Sequence, residues 1–137
     1  MSNELTPSSP LLSGKLFAVL EEIQLRSARW NINSTIVDRF YGSASTAPAS
    51  VFGNLIKNAT SAHLPKIRKA QLGHAELEAD VEETMVLLND NGGFRPTLRP
   101  KEQAEFALGF YTQRAHYAAE RRKRQIQGNA QQSEGGN

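Results

Sequence analysis

Apolar residues recur every three or four positions along most of the chain, the spacing that places side chains on one face of an α-helix. The first run predicts a helix from about Ser13 to Trp30. Its apolar positions are Leu12, Leu16, Val19, Leu20 and Ile23. The acidic residues Glu21 and Glu22 fall outside this stripe, so we expect them on a solvated face.

Local start and stop signals divide the middle of the chain into further helices. Asn33 or Ser34 is expected to cap a short second helix that ends at Gly42, and Pro48 suits the first position of a third helix. The small residues from Gly42 to Pro48 would then form a tight connection between the two helices. Pro65 should end or kink the third helix, because proline has no backbone N–H to donate.

A fourth amphipathic run predicts a helix from about His74 to Asn89, and no segment alternates with the period of two that indicates a strand. The predicted fold is an all-α antiparallel bundle of four to five helices. We place this bundle at residues 12–127, after a flexible leader at residues 1–11 and before a disordered tail at residues 128–137.

The last helix, predicted from Pro100 to about Gln127, carries two apolar stripes. One stripe contains Ala104, Leu108, Tyr111, Ala115 and Ala118, and the other contains Phe106, Phe110 and Tyr117. A helix with two apolar faces is either central in the bundle or covered by another protein. The stripe of Phe106, Phe110 and Tyr117 is therefore either core or a protein-docking face. Arg114 lies between the stripes, where an ion pair with Asp38 is one alternative to nucleic-acid contact.

Composition excludes several classes of protein. The absence of cysteine excludes disulfides, thiolate zinc sites and a cysteine nucleophile, and it fits a reducing, cytoplasmic compartment. No apolar run approaches the ~20 residues that span a bilayer, so no membrane association is expected.

Charge is divided unevenly along the chain, although the net charge is only +2. Eight basic and three acidic residues lie between Lys15 and Ala75, and the same numbers lie between Phe94 and Arg124. Between these blocks, residues 76–90 hold six acidic residues and no basic ones. This asymmetry favours a polyanionic partner, from which the acidic helix should face away.

Catalytic motifs are not recognisable. His63, His74 and His116 have no metal-ligand spacing, and Gly14-Lys15 lacks both the first glycine and the Ser or Thr of a phosphate-binding loop. We therefore predict no metal, no cofactor and no enzymatic activity.

Sequence-independent binding of a nucleic-acid backbone needs several cations on one face and no particular spacing. The candidates are Arg26, Arg29, Arg39, Lys57, Lys66, Arg68, Lys69, Arg114, Arg121 and Arg122. Charged residues are often merely solvated, so the residues alone leave nucleic-acid binding and protein docking equally open.

Three segments carry a resemblance to a known family: GKLFAVLEEIQ, NSTIVDRFYGSASTAPASVFGNLI and EQAEFALGFYTQ. Together they resemble the carboxy-terminal helical region of the large subunit of the type I-C CRISPR Cascade complex, over about Gly14 to Gln113. In that family the region is also made separately, by internal translation, as the small subunit. A Met1 followed by a short polar leader is what such a product would look like.

The resemblance implies a role in RNA-guided recognition of DNA. Its expected partners are the guide RNA, the target DNA with its displaced strand, the backbone and large subunits, and neighbouring copies of this chain. The expected function is to stabilise the R-loop through contacts with phosphates, and the alternative is a structural spacer that binds protein alone.

Overall fold

The computed structural model describes residues 7–135, with side chains for residues 7–129, and within this range all regular secondary structure is helical, without strands, as predicted. The elements are α1 (Ser9–Ser27), α2 (Ile36–Thr46), α3 (Pro48–Asn58), a π-helical turn (Ala59–His63), α4 (Leu64–Ala70), α5 (His74–Asp90) and α6 (Pro100–Gly135). The helices α3 and α4 are joined by the π turn without a break, so they form one rod.

Counting the α3–α4 rod as one unit, the described part of the chain has five helical units, and they alternate in direction. The backbone N–H of Ile36 meets Gln24, and the start of α1 meets Gly93, so α2 and α5 run antiparallel to α1. The first and last units are parallel, since Ser8 bonds to Glu105 and Glu22 bonds to Arg121. Helix α1 contacts all the others and is buried on nearly every side, so it is the central helix of the bundle.

Helix α1 begins four residues before the predicted start at Ser13. The Ser8 hydroxyl accepts a hydrogen bond from the Leu11 N–H, and Pro10 occupies the first turn, where no N–H donor is needed. The proposed boundary at residues 11 and 12 therefore falls inside a helix. At the other end α6 continues to Gly135, beyond the predicted Gln127. Residues 1–6, 136 and 137 lie outside the described residues.

Helix α2 does not end at Gly42 as predicted. Thr35, rather than Asn33 or Ser34, caps it, and Asp38 accepts a hydrogen bond from the Thr35 N–H in a capping box. The helix continues through Gly42 to Thr46, so the predicted connection shrinks to Ala47 alone. Pro48 then begins α3, as predicted, since its fixed φ suits the first helical position.

Pro65 neither ends the helical rod nor leaves it as a regular α-helix. The preceding turn widens to π geometry, in which the Leu64 N–H donates to the Ala59 carbonyl five residues earlier. A proline inside an α-helix deprives one carbonyl of its partner and crowds it. The π turn takes up this misfit locally, so the rod continues.

Two glycines set the spacing between α1 and α6. A Cβ atom on Gly14 would lie 1.9 Å from the Phe106 carbonyl oxygen, and one on Gly109 would lie 2.0 Å from the Leu11 carbonyl oxygen. Backbone therefore packs directly on backbone at this crossing. This explains Gly14 structurally, without any phosphate-binding role.

The core is built around aromatic side chains, and it corrects the predicted docking face. Phe106, Phe110 and Tyr117 are buried completely, with the ring centroid of Phe110 5.7 Å from that of Phe17 and 5.3 Å from that of Tyr41. The docking prediction for these three residues is wrong, because this stripe of α6 faces α1. The outward stripe is the other one, in which Leu108 is 61% exposed and Tyr111 56% exposed.

Candidate nucleic-acid interface

Several of the predicted cations lie at one end of the bundle, where α1 and α4 finish and α5 begins. Arg29, Lys66 and Lys69 line one shallow depression there, together with Ser27 and Ala70. We call these three cations the basic cluster. It joins the turn after α1 to the last turns of the α3–α4 rod.

Local backbone geometry explains how the cluster forms. Lys66 and Lys69 are three residues apart on α4, so both project from the same face of that helix. Arg29 follows the end of α1 and has a φ of 52°, in the left-handed region. This conformation turns the chain out of α1, and Arg29 lines the same depression as the two lysines of α4.

The basic cluster forms no salt bridge with the side chains that the structure describes. Among the side chains described at residues 7–129, the salt bridges do not include Arg29, Lys66 or Lys69. Lys66 also lies near His63 and, after burial, is the second cause of a lowered His63 pKa. Three cations without acidic partners favour an anionic ligand at this place.

Arg26 does not belong to the interface, which corrects a sequence prediction. Its side chain is buried, donates to the Glu22 carboxylate at 2.9 Å and reaches the Leu72 carbonyl at 3.2 Å. A buried guanidinium saturated by internal acceptors is not available to a phosphate.

Arg114 and Arg121 are partly used inside the molecule. The Nε atom of Arg114 lies 3.2 Å from the Glu21 carboxylate, and Nη1 of Arg121 lies 2.7 Å from that of Glu22. Of the two alternatives for Arg114, the ion pair therefore exists, but its partner is Glu21, since Asp38 takes part in the capping box of α2.

Glu21 and Glu22 are buried, so the prediction that they lie on a solvated face is wrong. Burial raises the pKa of Glu21 above its usual 4.5, and the nearby Arg114 guanidinium opposes that rise. The two carboxylates hold the arginines of α6 against α1, which makes these ion pairs part of the helix packing.

The remaining candidates are exposed but dispersed. Arg68 pairs with Glu78 of α5. Arg39 lines a separate cleft of about 380 Å³ between α2 and α3, beside Phe40. Lys57 and Arg122 are exposed on α3 and α6, outside the basic cluster.

The acidic helix α5 does not simply face away from the cations, as the charge pattern predicts. Glu76 pairs with Arg124 at 3.3 Å, Glu78 pairs with Arg68, and Asp80 accepts a hydrogen bond from Tyr117. The first half of α5 therefore borders the basic end. Glu82 and Glu83, farther along the helix, are exposed.

Sequence reasoning missed Trp30 as a site residue. It follows Arg29 directly, is 46% exposed, and its ring lies under the Arg121 guanidinium, whose carbon is 5.4 Å from the ring centroid. Trp30, Arg121, Arg124 and Gln125 line a second depression next to the basic cluster. A lone tryptophan directly after an arginine at a helix end was the available signal.

A metal centre and a membrane span are two other features that would change this picture. No group of three or more histidine and acidic side chains in the described range is placed to hold a metal ion. No helix in that range combines the length and apolar character needed to cross a bilayer.

Comparison with known proteins gives the family. A search among curated proteins returned no significant match to the chain. A family model described as CRISPR-associated protein (Cas_Csd1) matches residues 1–118, which is most of the sequence and includes four of the five helical units and the packed first half of α6. The chain therefore belongs to the CRISPR-associated Cas_Csd1 family.

Proposed function

We propose that this chain is the non-catalytic small subunit of a type I-C Cascade complex. In this role it lines the filament of guide RNA and target DNA and stabilises the R-loop without reading bases. Its partners are the guide RNA, both strands of the target DNA, the backbone and large subunits, and neighbouring copies. Membership of a CRISPR-associated family supports this context.

The observation that carries nucleic-acid contact is the basic cluster. Arg29, Lys66 and Lys69 converge on one depression without acidic partners among the described residues. An R-loop replaces a DNA duplex by a heteroduplex of similar stability, so a few phosphate contacts are enough to shift the equilibrium. The cluster supplies contacts of this kind, which do not depend on sequence.

The test is R-loop formation by the reconstituted complex with and without this chain across a salt series. If the chain holds nucleic acid, adding it stabilises the R-loop and steepens the dependence of log K on log salt. The expected increment is roughly 0.7 to 0.9 per phosphate contacted. A more stable complex with an unchanged slope would contradict the phosphate contacts.

A structural spacer that binds only protein is the second candidate, and the outward stripe of α6 favours it. Leu108 and Tyr111 are more than half exposed and lie on the face of α6 away from the core. Replacing both by serine separates the two functions. If the chain is only a spacer that docks through this stripe, the serine variant is no longer incorporated into the complex. If the basic cluster contacts nucleic acid, complexes that contain the serine variant keep the salt slope of the parent.

A further inference from the structure

An unusual backbone turn places Trp30 at the protein surface. Arg29 and Trp30 have φ values of 52° and 60°, a left-handed conformation that non-glycine residues seldom adopt. The turn is held by hydrogen bonds from the Trp30 N–H to the Leu25 carbonyl at 2.8 Å and from the Asn31 N–H to the Ala28 carbonyl at 3.0 Å. The backbone thus fixes a large aromatic side chain at the surface.

A cation–π contact on one face of the indole ring also holds its position. The Arg121 guanidinium lies over the ring, and Arg121 itself donates to both carboxylate oxygens of Glu22, at 2.7 and 2.9 Å. Glu22 is buried and is further held by Arg26. A chain of contacts from the core therefore positions the ring, while nearly half of the residue remains open to solvent.

The surroundings of the ring are cationic. Arg124 lines the same depression as Trp30 and shares its charge with Glu76 at 3.3 Å, and the adjacent Arg29, which has no acidic partner among the described side chains, lines the basic cluster on the other side of the turn. An exposed aromatic face offers stacking to any base, and flanking cations offer contacts to the phosphates on either side. A duplex cannot use both, because its bases are already stacked.

We infer that Trp30 is a stacking platform for an unpaired base of a single-stranded nucleic acid, whose phosphates contact the basic cluster. This inference rests on the proposed function and adds to it the single-stranded character of the ligand. The displaced DNA strand and an exposed stretch of RNA share this chemistry.

The tryptophan fluorescence of the chain comes from this site alone, because Trp30 is its single tryptophan. The full chain is titrated with end-labelled oligo-dT, oligo-U, an abasic strand of equal length and a duplex. Anisotropy of the label measures binding, and Trp30 fluorescence measures stacking. Quenching by oligo-dT or oligo-U, but not by the abasic strand or the duplex, is expected, and the stronger of the two identifies DNA or RNA.

Two Trp30 variants and one control variant accompany the titration. Trp30→Ala is expected to weaken binding by about 5- to 150-fold, the range of one stacked base, and Trp30→Phe should retain most of the affinity. Val86→Ala, which trims an exposed apolar side chain on α5, is the control and should change nothing. Circular dichroism verifies that each variant folds.

The outcomes separate the two proposals. Binding to the strands without quenching of Trp30 leaves the phosphate contacts standing and overturns the platform. Equal losses in Trp30→Ala and Trp30→Phe also overturn it, since phenylalanine can still stack. Absence of any binding by the full chain overturns the platform too, and the salt series with the reconstituted complex then decides the proposed function on its own.

Discussion

Tyr117 combines complete burial with a polar contact at its tip. Its hydroxyl donates to an Asp80 carboxylate oxygen at 2.6 Å, which ties α6 to α5, and burial raises the pKa of Tyr117 above its ordinary value. Removing the hydroxyl in Tyr117→Phe is expected to lower the free energy of unfolding by about 1.5 kcal/mol, since the bond is to a charged group. Urea denaturation measures the loss. Tyr111→Phe, on the exposed stripe, should leave the midpoint unchanged, and equal midpoints for both variants would contradict the role of this bond.

His63 makes stability depend on pH. Its ring Nδ1 lies 3.2 Å from the Ser27 hydroxyl, and burial, followed by the charge of Lys66, lowers its pKa below 6.5. Well above pH 6.5 the ring is neutral in both the folded and the unfolded chain, so its contribution to the unfolding free energy is fully present. As the pH falls from 6.5 through the folded-state pKa, the unfolded chain binds the proton more readily, so stability is lost.

The prediction is that His63→Gln flattens the decline in unfolding free energy as the pH falls below 6.5. His116→Gln is the control, because His116 is exposed on α6. A decline of the same steepness in His63→Gln and the parent chain would rule out His63 as its source.

The crossing of α1 and α6 depends on glycine at two positions. A methyl group at Gly14 or Gly109 would overlap a backbone carbonyl oxygen, which cannot rotate away as a side chain can. Gly14→Ala and Gly109→Ala should each cost about 1 to 3 kcal/mol of unfolding free energy, because the helices must move apart.

Gly53→Ala is the matched control for this crossing. Gly53 lies within α3, where an alanine Cβ would have no neighbouring atom within 4 Å, so the change should stabilise the chain by about 0.5 to 1 kcal/mol through helix propensity. Thermal unfolding of the three variants provides the measurement. Stabilisation by Gly14→Ala would mean that the crossing is looser than described.

Helix boundaries followed from the sequence wherever a local signal decides them. The prolines Pro48 and Pro100 begin α3 and α6, and His74 begins α5, as predicted. The prediction at Gly42 was wrong because tertiary packing sustains helix across a residue that would weaken an isolated one, and Pro65 distorts the rod into a π turn instead of ending it. Two apolar stripes are recognisable on α6 from the sequence, but periodicity alone does not say which stripe meets the core.

The candidate site was predicted only in part, for a related reason. The sequence identifies cations, but whether a cation is free depends on which carboxylate the fold brings beside it. Arg26 and Arg121 both pair with Glu22, because α1 is central and this part of it is buried. Lys66 and Lys69 lie on the outer face of α4 and keep their charge available.

The distribution of charge over the whole molecule predicts which end contacts a polyanion. Lys66→Glu with Lys69→Glu reverses two charges of the basic cluster. We expect this double variant to reduce the salt dependence of R-loop formation by up to about 0.9 for each phosphate that the chain no longer neutralises. The measurement is the salt series of the reconstituted complex.

A matched control lies at the opposite end of the bundle. Arg99 and Lys101 are exposed near the start of α6, beside Glu102 and Glu105, and reversing both gives the same change in net charge. This control should keep the parent salt slope. If both double variants reduce the slope equally, net charge is responsible, and the basic cluster has no special role.

The parallel packing of the first helix on the last one also has a consequence for how the protein is made. Ser8 and Glu105 are 97 residues apart, and Glu22 and Arg121 are 99 apart, so α1 leaves the ribosome long before its main packing partner exists. At the usual rate of about 5 to 20 residues per second, this delay lasts about 5 to 20 s. During that interval a helix destined to be buried on nearly all sides has only the helices α2 to α5 to cover it. We therefore expect the yield of folded protein to depend on the speed with which α6 is translated, with a pause in that last segment favouring aggregation even when the finished bundle is stable.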